Sequence, residues 1–170
     1  MENIELYVPE LEDYWFEELM ESDPDTMEYN AGYDVSYYGY HYDTGCIDFP
    51  KDRWIITYEK RIKENRYFAY IKDTRLDEYV GYVNYQYIKD DDRYDCGVVV
   101  YSKYRGKGYA KAGLQLLCEQ AKKNGIKELY DNFEIDRGHT LSLFESVGFK
   151  VIEENLMKLV ELTETIIKKI

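Results

Sequence analysis

The stretch from Lys103 to Ala110, KYRGKGYA, holds three cations and two glycines in a chain whose net charge is −12. No acidic residue occurs between Asp95 and Glu119, so the local charge is positive. A helix leaves its first backbone N–H groups unpaired, and an anion can complete them. Glycine has no Cβ, so its backbone can approach phosphate oxygens closely. The stretch therefore predicts a site for a diphosphate group between a strand and a helix.

Two common phosphate-binding motifs do not fit this stretch. A Walker loop needs Gly-Lys followed by Ser or Thr, whereas Gly108 is preceded by Lys107 and followed by Tyr109. A dinucleotide-binding fingerprint needs a third glycine where this chain has Lys111, and no βαβ unit is predicted at that point. We therefore do not expect an NTPase or a dinucleotide-dependent enzyme.

The composition restricts the partners of the protein. The chain has 170 residues, with 22 Lys and Arg against 34 Asp and Glu, and an isoelectric point near 4.7. This charge would repel nucleic acid and anionic membrane surfaces, so we expect neither as a partner. No leader or spanning segment is recognised, and Cys46, Cys96 and Cys118 form no metal-binding pattern. We expect a single cytoplasmic domain without a metal.

Hydrophobic spacing predicts alternating helices and strands along the chain. Val98 to Val100 is apolar on both faces, as a central strand requires. Residues 30–50 show no period, which indicates a long irregular connection. The resulting order predicts a mixed α/β fold. The predicted helices are 9–23, 51–65, 108–124 and 140–147, and the predicted strands are 4–8, 67–72, 79–88, 94–101, 126–133 and one or two strands from 149 onward.

Three motifs in the second half of the chain occur in the same order in one known family. Arg105 to Ala110, RGKGYA, has the form [Q/R]-x-x-G-x-[G/A] between a predicted strand and a predicted helix. Val80-Gly81-Tyr82 lies in the preceding strand, and Leu143 to Phe149, LFESVGF, is close to a closing L-Y-x-x-x-G-F element. Together they span roughly half the chain, and they resemble the GNAT superfamily of N-acetyltransferases.

The resemblance implies a fold and a division of the domain. The fold would be a central mixed, mostly antiparallel sheet with a splayed parallel strand pair, flanked by helices. Residues 1–66 would form the substrate-side helices and loop, 67–160 the acetyl-CoA-binding core, and 161–170 a C-terminal tail. A homodimer is compatible with this arrangement.

The resemblance also implies acetyl-CoA as the cosubstrate and assigns the residues that bind it. The strand before the loop would pair with the pantetheine arm, and the backbone N–H of Val99 would face the thioester oxygen. Arg137 stands where the family has an asparagine, so the sequence departs from the family pattern at this position. The implied cofactor-binding residues are Val98, Val99, Val100, Arg105, Gly106, Lys107, Gly108, Tyr109, Ala110 and Arg137.

The expected chemistry is direct attack of a primary amine on the thioester. Because a lysine-like amine has a pKa of about 10.4, a base must remove its proton. Asp95 stands where many members of the family carry a glutamate, and Glu134 is a second candidate. The rivals are Asp136, Asp34 and Asp48. The family's tyrosine, which protonates the leaving thiol, is replaced by Phe144.

The acceptor is expected to be an amine on a small molecule or a protein. Residues 29–49 form a tyrosine-rich acidic loop that could favour a cationic substrate. An acyl-CoA-binding sensor or catalytically inactive module is the alternative, and Phe144 is the observation that favours it. His41 and His139 have no assigned role. The loop residues proposed to wall the pocket are Tyr37, Tyr38, Tyr40, Tyr42, Asp34, Asp43 and Asp48.

Overall fold

A computed structural model describes residues 2–133, 138–153 and 156–159. Within them, seven strands form a single mixed sheet in the order β1-β2-β3-β4-β5-β7-β6. The pair β4 and β5 is parallel, and every other neighbouring pair is antiparallel. The predicted fold class is confirmed. The strands are β1 Ile4–Tyr7, β2 Tyr67–Asp73, β3 Glu78–Ile88, β4 Arg93–Val100, β5 Tyr130–Asn132, β6 Phe149–Glu153 and β7 Leu156–Leu159.

The first predicted helix is interrupted. It begins as a 3₁₀ turn at Leu11–Tyr14, continues as an α-helix, and ends before a new short helix starts at Pro24. Asp23 causes the break, because its carboxylate accepts the N–H of Thr26 at 3.0 Å and caps the second helix. The α-helices are α1 Trp15–Glu21, α2 Pro24–Met27, α3 Lys51–Lys63, α4 Tyr109–Lys123 and α5 Gly138–Val147.

One face of the sheet is covered by α4 and α5. Leu114, Leu117 and Ala121 are fully buried there with β-strand residues such as Val83. Gly113 lets α4 approach closely, since a Cβ at this position would lie 2.4 Å from Ile71 Cδ1. This close contact fixes the start of α4 relative to the sheet.

The opposite face is covered by α1 and α3 and is rich in aromatic side chains. Phe16 and Met20 of α1 pack on Phe68, Tyr70 and Tyr82 of the sheet. A third cluster joins the 3₁₀ turn to α3 through Tyr14, Phe49 and Trp54. The sheet is therefore buried on both faces, with different chemistry on each.

The two neighbours of β4 pair with it over very different lengths. On one side, every residue of β4 pairs with β3, from Arg93 opposite Ile88 to Val100 opposite Gly81. On the other side, Asp95 opposite Tyr130 is the one β4 to β5 pair within the described residues. The predicted strand 126–133 is shorter than expected because 126–129 forms no ladder. The two strands thus diverge after Asp95, and the predicted splay is confirmed.

Candidate functional site

Within the described residues, the diverging edge of β4 has backbone groups without a strand partner. Tyr101 N donates to Val80 O at 2.9 Å, and the β3 to β4 register has no shift. Backbone N–H and C=O groups alternate between the two edges of a strand, so those of Val99 also point towards β3, opposite Tyr82. The backbone groups of Val98 and Val100 point instead to the other edge, from which β5 diverges. The expectation that the N–H of Val99 faces a ligand is corrected by this register.

The loop after β4 presents a run of free amides. Gly106 and Gly108 have φ values of 74° and 83°, in the left-handed region that favours glycine. No protein atom lies within 4 Å of a Cβ built on Gly106, so the space beside it is open. Among the described residues, no backbone carbonyl accepts from the amides of 106–111. The positive end of the α4 dipole lies here, so this loop suits an anion.

Buried tyrosines anchor this loop to the turn between β2 and β3. Tyr109 donates to Asp73 at 2.7 Å, and Tyr104 donates to Glu78. The hydrogen bond from Tyr109 lowers the pKa of the Asp73 carboxyl. Burial, together with the bond to Glu78, raises the pKa of Tyr104 to about 12. The side chain of Tyr109 is therefore structural, and its backbone amide is the group left for a ligand.

The cations of the loop are arranged unequally. Arg105 is turned onto the α2 region, where its guanidinium donates to Thr26 O at 3.0 Å and to Glu28 Oε1 at 2.9 Å. Lys103 and Lys107 lie near the ring of Tyr104, with Nζ 5.1 and 5.4 Å from its centroid. Binding of an anion by this loop would thus depend on its amides, supported by two lysines.

Comparison with known proteins identifies the family. The model of the acetyltransferase (GNAT) family matches residues 11–149, most of the chain. The chain belongs to the GNAT family. The open edge of β4 and the amide loop therefore correspond to the site that the motifs predict for acetyl-CoA, and the free groups there fit a pantetheine arm and a diphosphate.

Solved structures support the same fold. Spermidine N-acetyltransferase from Vibrio cholerae, in complex with CoA and spermine, has a TM-score of 0.70 at 16% identity and covers 93% of this chain and 94% of its own. The yncA protein of Salmonella typhimurium, with its cofactor acetyl-CoA, has a TM-score of 0.69 at 15% identity and covers 92% and 93%. A dodecameric structure is known for the Vibrio cholerae enzyme. No match was found among curated protein sequences.

Of the two predicted catalytic bases in this GNAT chain, Asp95 lies among the described residues and Glu134 does not. Asp95 is held by the neighbouring Arg93, whose Nε lies 2.7 Å from Oδ1 and whose Nη2 lies 3.3 Å from Oδ2. Its carboxylate is therefore already shared with a guanidinium. Glu134, Asp136 and Arg137 lie outside the described residues.

The residue at the family's tyrosine position is fully packed. Phe144 on α5 is 1% exposed, and its ring lies 5.4 Å from that of Phe133 and 4.8 Å from that of Phe149. This position supplies no hydroxyl, so any proton for a leaving thiol must come from elsewhere.

The tyrosine-rich loop is largely exposed. Tyr38 and Tyr42 are more than half exposed, and Arg53 stacks on the ring of Tyr38 at 3.8 Å. Asp48 forms an exposed pair with His41 at 2.9 Å. The loop contributes no residue to the cavity under α1 and α3, whose lining includes two glutamates and two arginines.

That cavity is the part of the site that sequence reasoning missed. It has a volume of about 200 Å³ and contains a buried ion pair between Glu17 and Arg61 and a second acid, Glu21. The four-residue spacing of the two glutamates on α1 was the available signal, but such spacing also describes an exposed helix face. The lining residues are Glu17, Glu21, Arg61, Arg66, Tyr67, Phe68, Tyr82, Asn84, Tyr85 and Gln86.

The described residues contain no group of three or more His, Cys, Asp or Glu side chains that could hold a metal ion. In the same part of the chain, no helix combines the length and hydropathy needed to cross a bilayer.

Proposed function

We propose that this protein is an N-acetyltransferase that moves an acetyl group from acetyl-CoA to a primary amine of a small molecule or protein. The observation that carries the proposal is the divergence of β4 from β5 directly beside a helix N-terminus with free amides. The strand edge suits an extended amide-containing arm, and the helix start suits the diphosphate to which that arm is joined.

Different residues would bind different parts of acetyl-CoA. The amides of 106–111 would hold the diphosphate, assisted by Lys107, and the free groups of Val98 and Val100 would pair with the pantetheine arm. One N–H of this edge would then face the thioester oxygen and stabilise the negative charge that develops there. We assign this role to Val98, because Val99 is turned towards β3. Bound acetyl-CoA supplies the activated acyl group.

Direct attack requires an unprotonated amine. The nitrogen attacks the carbonyl carbon, a C–N bond forms, and the C–S bond breaks with its electron pair on sulfur. Asp95 and Glu134 remain candidates for the base. The pairing of Asp95 with Arg93 favours a positioning role for Asp95 unless the acceptor displaces that guanidinium.

We further propose that the acceptor is cationic. The net charge of −12 attracts cations over long distances, and the solved structure of a related fold contains spermine. The carboxyl groups of Glu17 and Glu21 line the cavity under α1 and α3 and would receive such a charge.

An acyl-CoA-binding sensor is the second candidate function. The observation that favours it is the fully packed Phe144 ring at the position where a tyrosine hydroxyl is expected. A sensor would bind acetyl-CoA on the same loop and strand edge without catalysing transfer of the acetyl group.

One experiment separates these two functions. The purified protein is mixed with acetyl-CoA and a panel of polyamines, aminoglycosides and peptides, and release of free thiol is followed. We expect thiol release with at least one amine and none without amine. Tight CoA binding with no release across the panel would favour the sensor, and absence of CoA binding would contradict both functions.

A further inference from the structure

The cavity under α1 and α3 lies beside the proposed reaction site. Its floor includes Tyr82, Asn84 and Gln86 of β3, which pair in register with Val99, Gly97 and Asp95 of β4. Neighbouring strands lie about 4.8 Å apart. The cavity is thus one strand away from the edge at which we place the thioester, and its volume of about 200 Å³ accommodates a small aliphatic amine group.

One of the two glutamates in this cavity is already neutralised. Glu17 accepts two hydrogen bonds of 2.7 Å from Arg61, and its side chain is 4% exposed. Arg61 is also held from the other side, since its guanidinium lies 3.6 Å from the centroid of Phe68. Burial lowers the pKa of Arg61 but Glu17 raises it more, so the guanidinium stays charged. This ion pair adds no net charge to the cavity, whose lining also contains Glu21 and Arg66.

The second glutamate has no cation of its own among the described residues. Glu21 lies one helical turn after Glu17, and both carboxyl groups line the cavity. Burial, followed by the charge of Glu17, raises the pKa of Glu21 well above its usual range, and Arg61 opposes this only in part. Tyr82 is the titratable group that faces Glu21 from β3, with Tyr29 hydrogen-bonded to Tyr82. Glu21 therefore holds its proton more tightly than an exposed glutamate.

We propose that Glu21 accepts the proton of the acceptor's ammonium group. The proposal rests on the acetyltransferase function proposed above. An ammonium that enters the cavity stabilises the carboxylate form of Glu21, whose own proton leaves to water. The ammonium proton then passes to the Glu21 carboxylate, and the free amine attacks the thioester. The second N–H proton of the nitrogen neutralises the leaving thiolate, and Glu21 returns its proton to water.

The assignment to Glu21 depends on how close the pKa of the carboxyl lies to the pKa of the amine. A proton moves from an amine to a carboxylate more easily when the pKa of the carboxyl is raised towards that of the amine. The Asp95 carboxylate is instead paired with Arg93. Glu21 is half-buried beside the Glu17 carboxyl and has no cation of its own among the described residues, and this arrangement favours proton uptake.

The test compares Glu21→Gln with Asp95→Asn. Glutamine resembles the protonated form of Glu21 in size and charge, so the variant is expected to fold and to bind CoA as the wild type does. With a strongly basic aliphatic amine, we expect kcat of E21Q to fall by about 10²- to 10⁴-fold. With trifluoroethylamine, which is already unprotonated at neutral pH, the loss should nearly disappear, and it should also shrink as the pH rises. If Asp95 were the base instead, D95N would show this dependence on the acceptor and E21Q would not.

A second measurement does not require turnover. Calorimetry of spermidine binding to the CoA complex, in buffers of different ionisation enthalpy, should show proton release by the wild type and none by E21Q. Wild-type activity in E21Q, or a loss that is equal for both acceptors at every pH, would overturn the role of Glu21. Absence of acetylation by the wild type itself, with normal proton release on spermidine binding, would instead contradict the acetyltransferase function and keep Glu21 as the amine's carboxyl partner.

Discussion

The proposed functions of the two faces of the sheet depend on different chemical groups, backbone on one face and side chains on the other. On the α4 side, the ligand-facing groups are backbone amides of the loop and the strand edge, and the buried tyrosines serve to hold that backbone in place. On the α1 and α3 side, they are charged side chains in an aromatic layer. A backbone site depends on local conformation, whereas a side-chain site depends on contacts between distant segments. The two faces should therefore respond differently to substitution.

The largest effect is expected on the side-chain face. Arg61→Met leaves the Glu17 charge buried without its partner, so we expect the free energy of unfolding to fall by about 3–5 kcal/mol. Urea denaturation measures this change. Arg66→Met is the matched control, since Arg66 pairs with Glu64 at the surface and its loss should cost less than about 1 kcal/mol.

A double variant tests the cause of that effect. Glu17→Leu combined with Arg61→Met removes both charges, and we expect it to regain much of the stability lost in R61M. If R61M were as stable as the R66M control, the ion pair would not hold this face together and the contrast between the two faces would fail.

The next effect is expected on the backbone face and appears in binding. Gly106→Ala places a Cβ in the open space of the loop, so we expect affinity for CoA to fall by about tenfold to hundredfold, measured by calorimetry. Gly125→Ala is the control, because Gly125 has a φ of 79° and equally open surroundings at the other end of α4. Both variants should lose about 1–2 kcal/mol of stability from backbone strain. Equal CoA affinity in the two variants would remove the loop as the diphosphate site.

The difference between the faces also explains what the sequence could predict. The loop from Arg105 to Ala110 was predicted correctly as a strand-to-helix connection because glycine conformation and charge are local properties. The bounds of α4, Tyr109–Lys123, lie within one residue of the prediction for the same reason. The splay was also predicted, through the family resemblance of the motifs around it.

The remaining features depend on distant partners. The phase of the β3 to β4 ladder decides that Val98, rather than Val99, faces the open edge, and no property of three consecutive valines encodes that phase. Glu17 and Arg61 are 44 residues apart, so their pairing appears only when α1 and α3 pack on the sheet. The position of Asp95 predicts a base, but its bidentate pairing with Arg93, two residues earlier, appears only in the structure.

The smallest predicted effect tests an exception to the contrast between the two faces of the sheet, which is a charged side chain on the α4 side. Asp131 on β5 is opposite Met157 and therefore faces the mostly apolar α4 side, near Cys96. Burial raises the pKa of Asp131 to about 7, and the charge of Asp95 acts in the same direction. The folded protein thus binds this proton more tightly than the unfolded chain does. Its stability should fall as the pH rises from about 4 to about 7 and then stay level.

Asp131→Asn removes this titration. We expect the variant to be more stable than the wild type at about pH 8 by about 1–2 kcal/mol, less than the ~4 kcal/mol of a fully buried group, because Asp131 is partly exposed. The difference should vanish near pH 4, where Asp131 is protonated in the folded state. A constant difference between D131N and the wild type across this range would mean that the Asp131 carboxylate has a stabilising partner in addition to the N–H of Asn132, which it accepts at 2.8 Å.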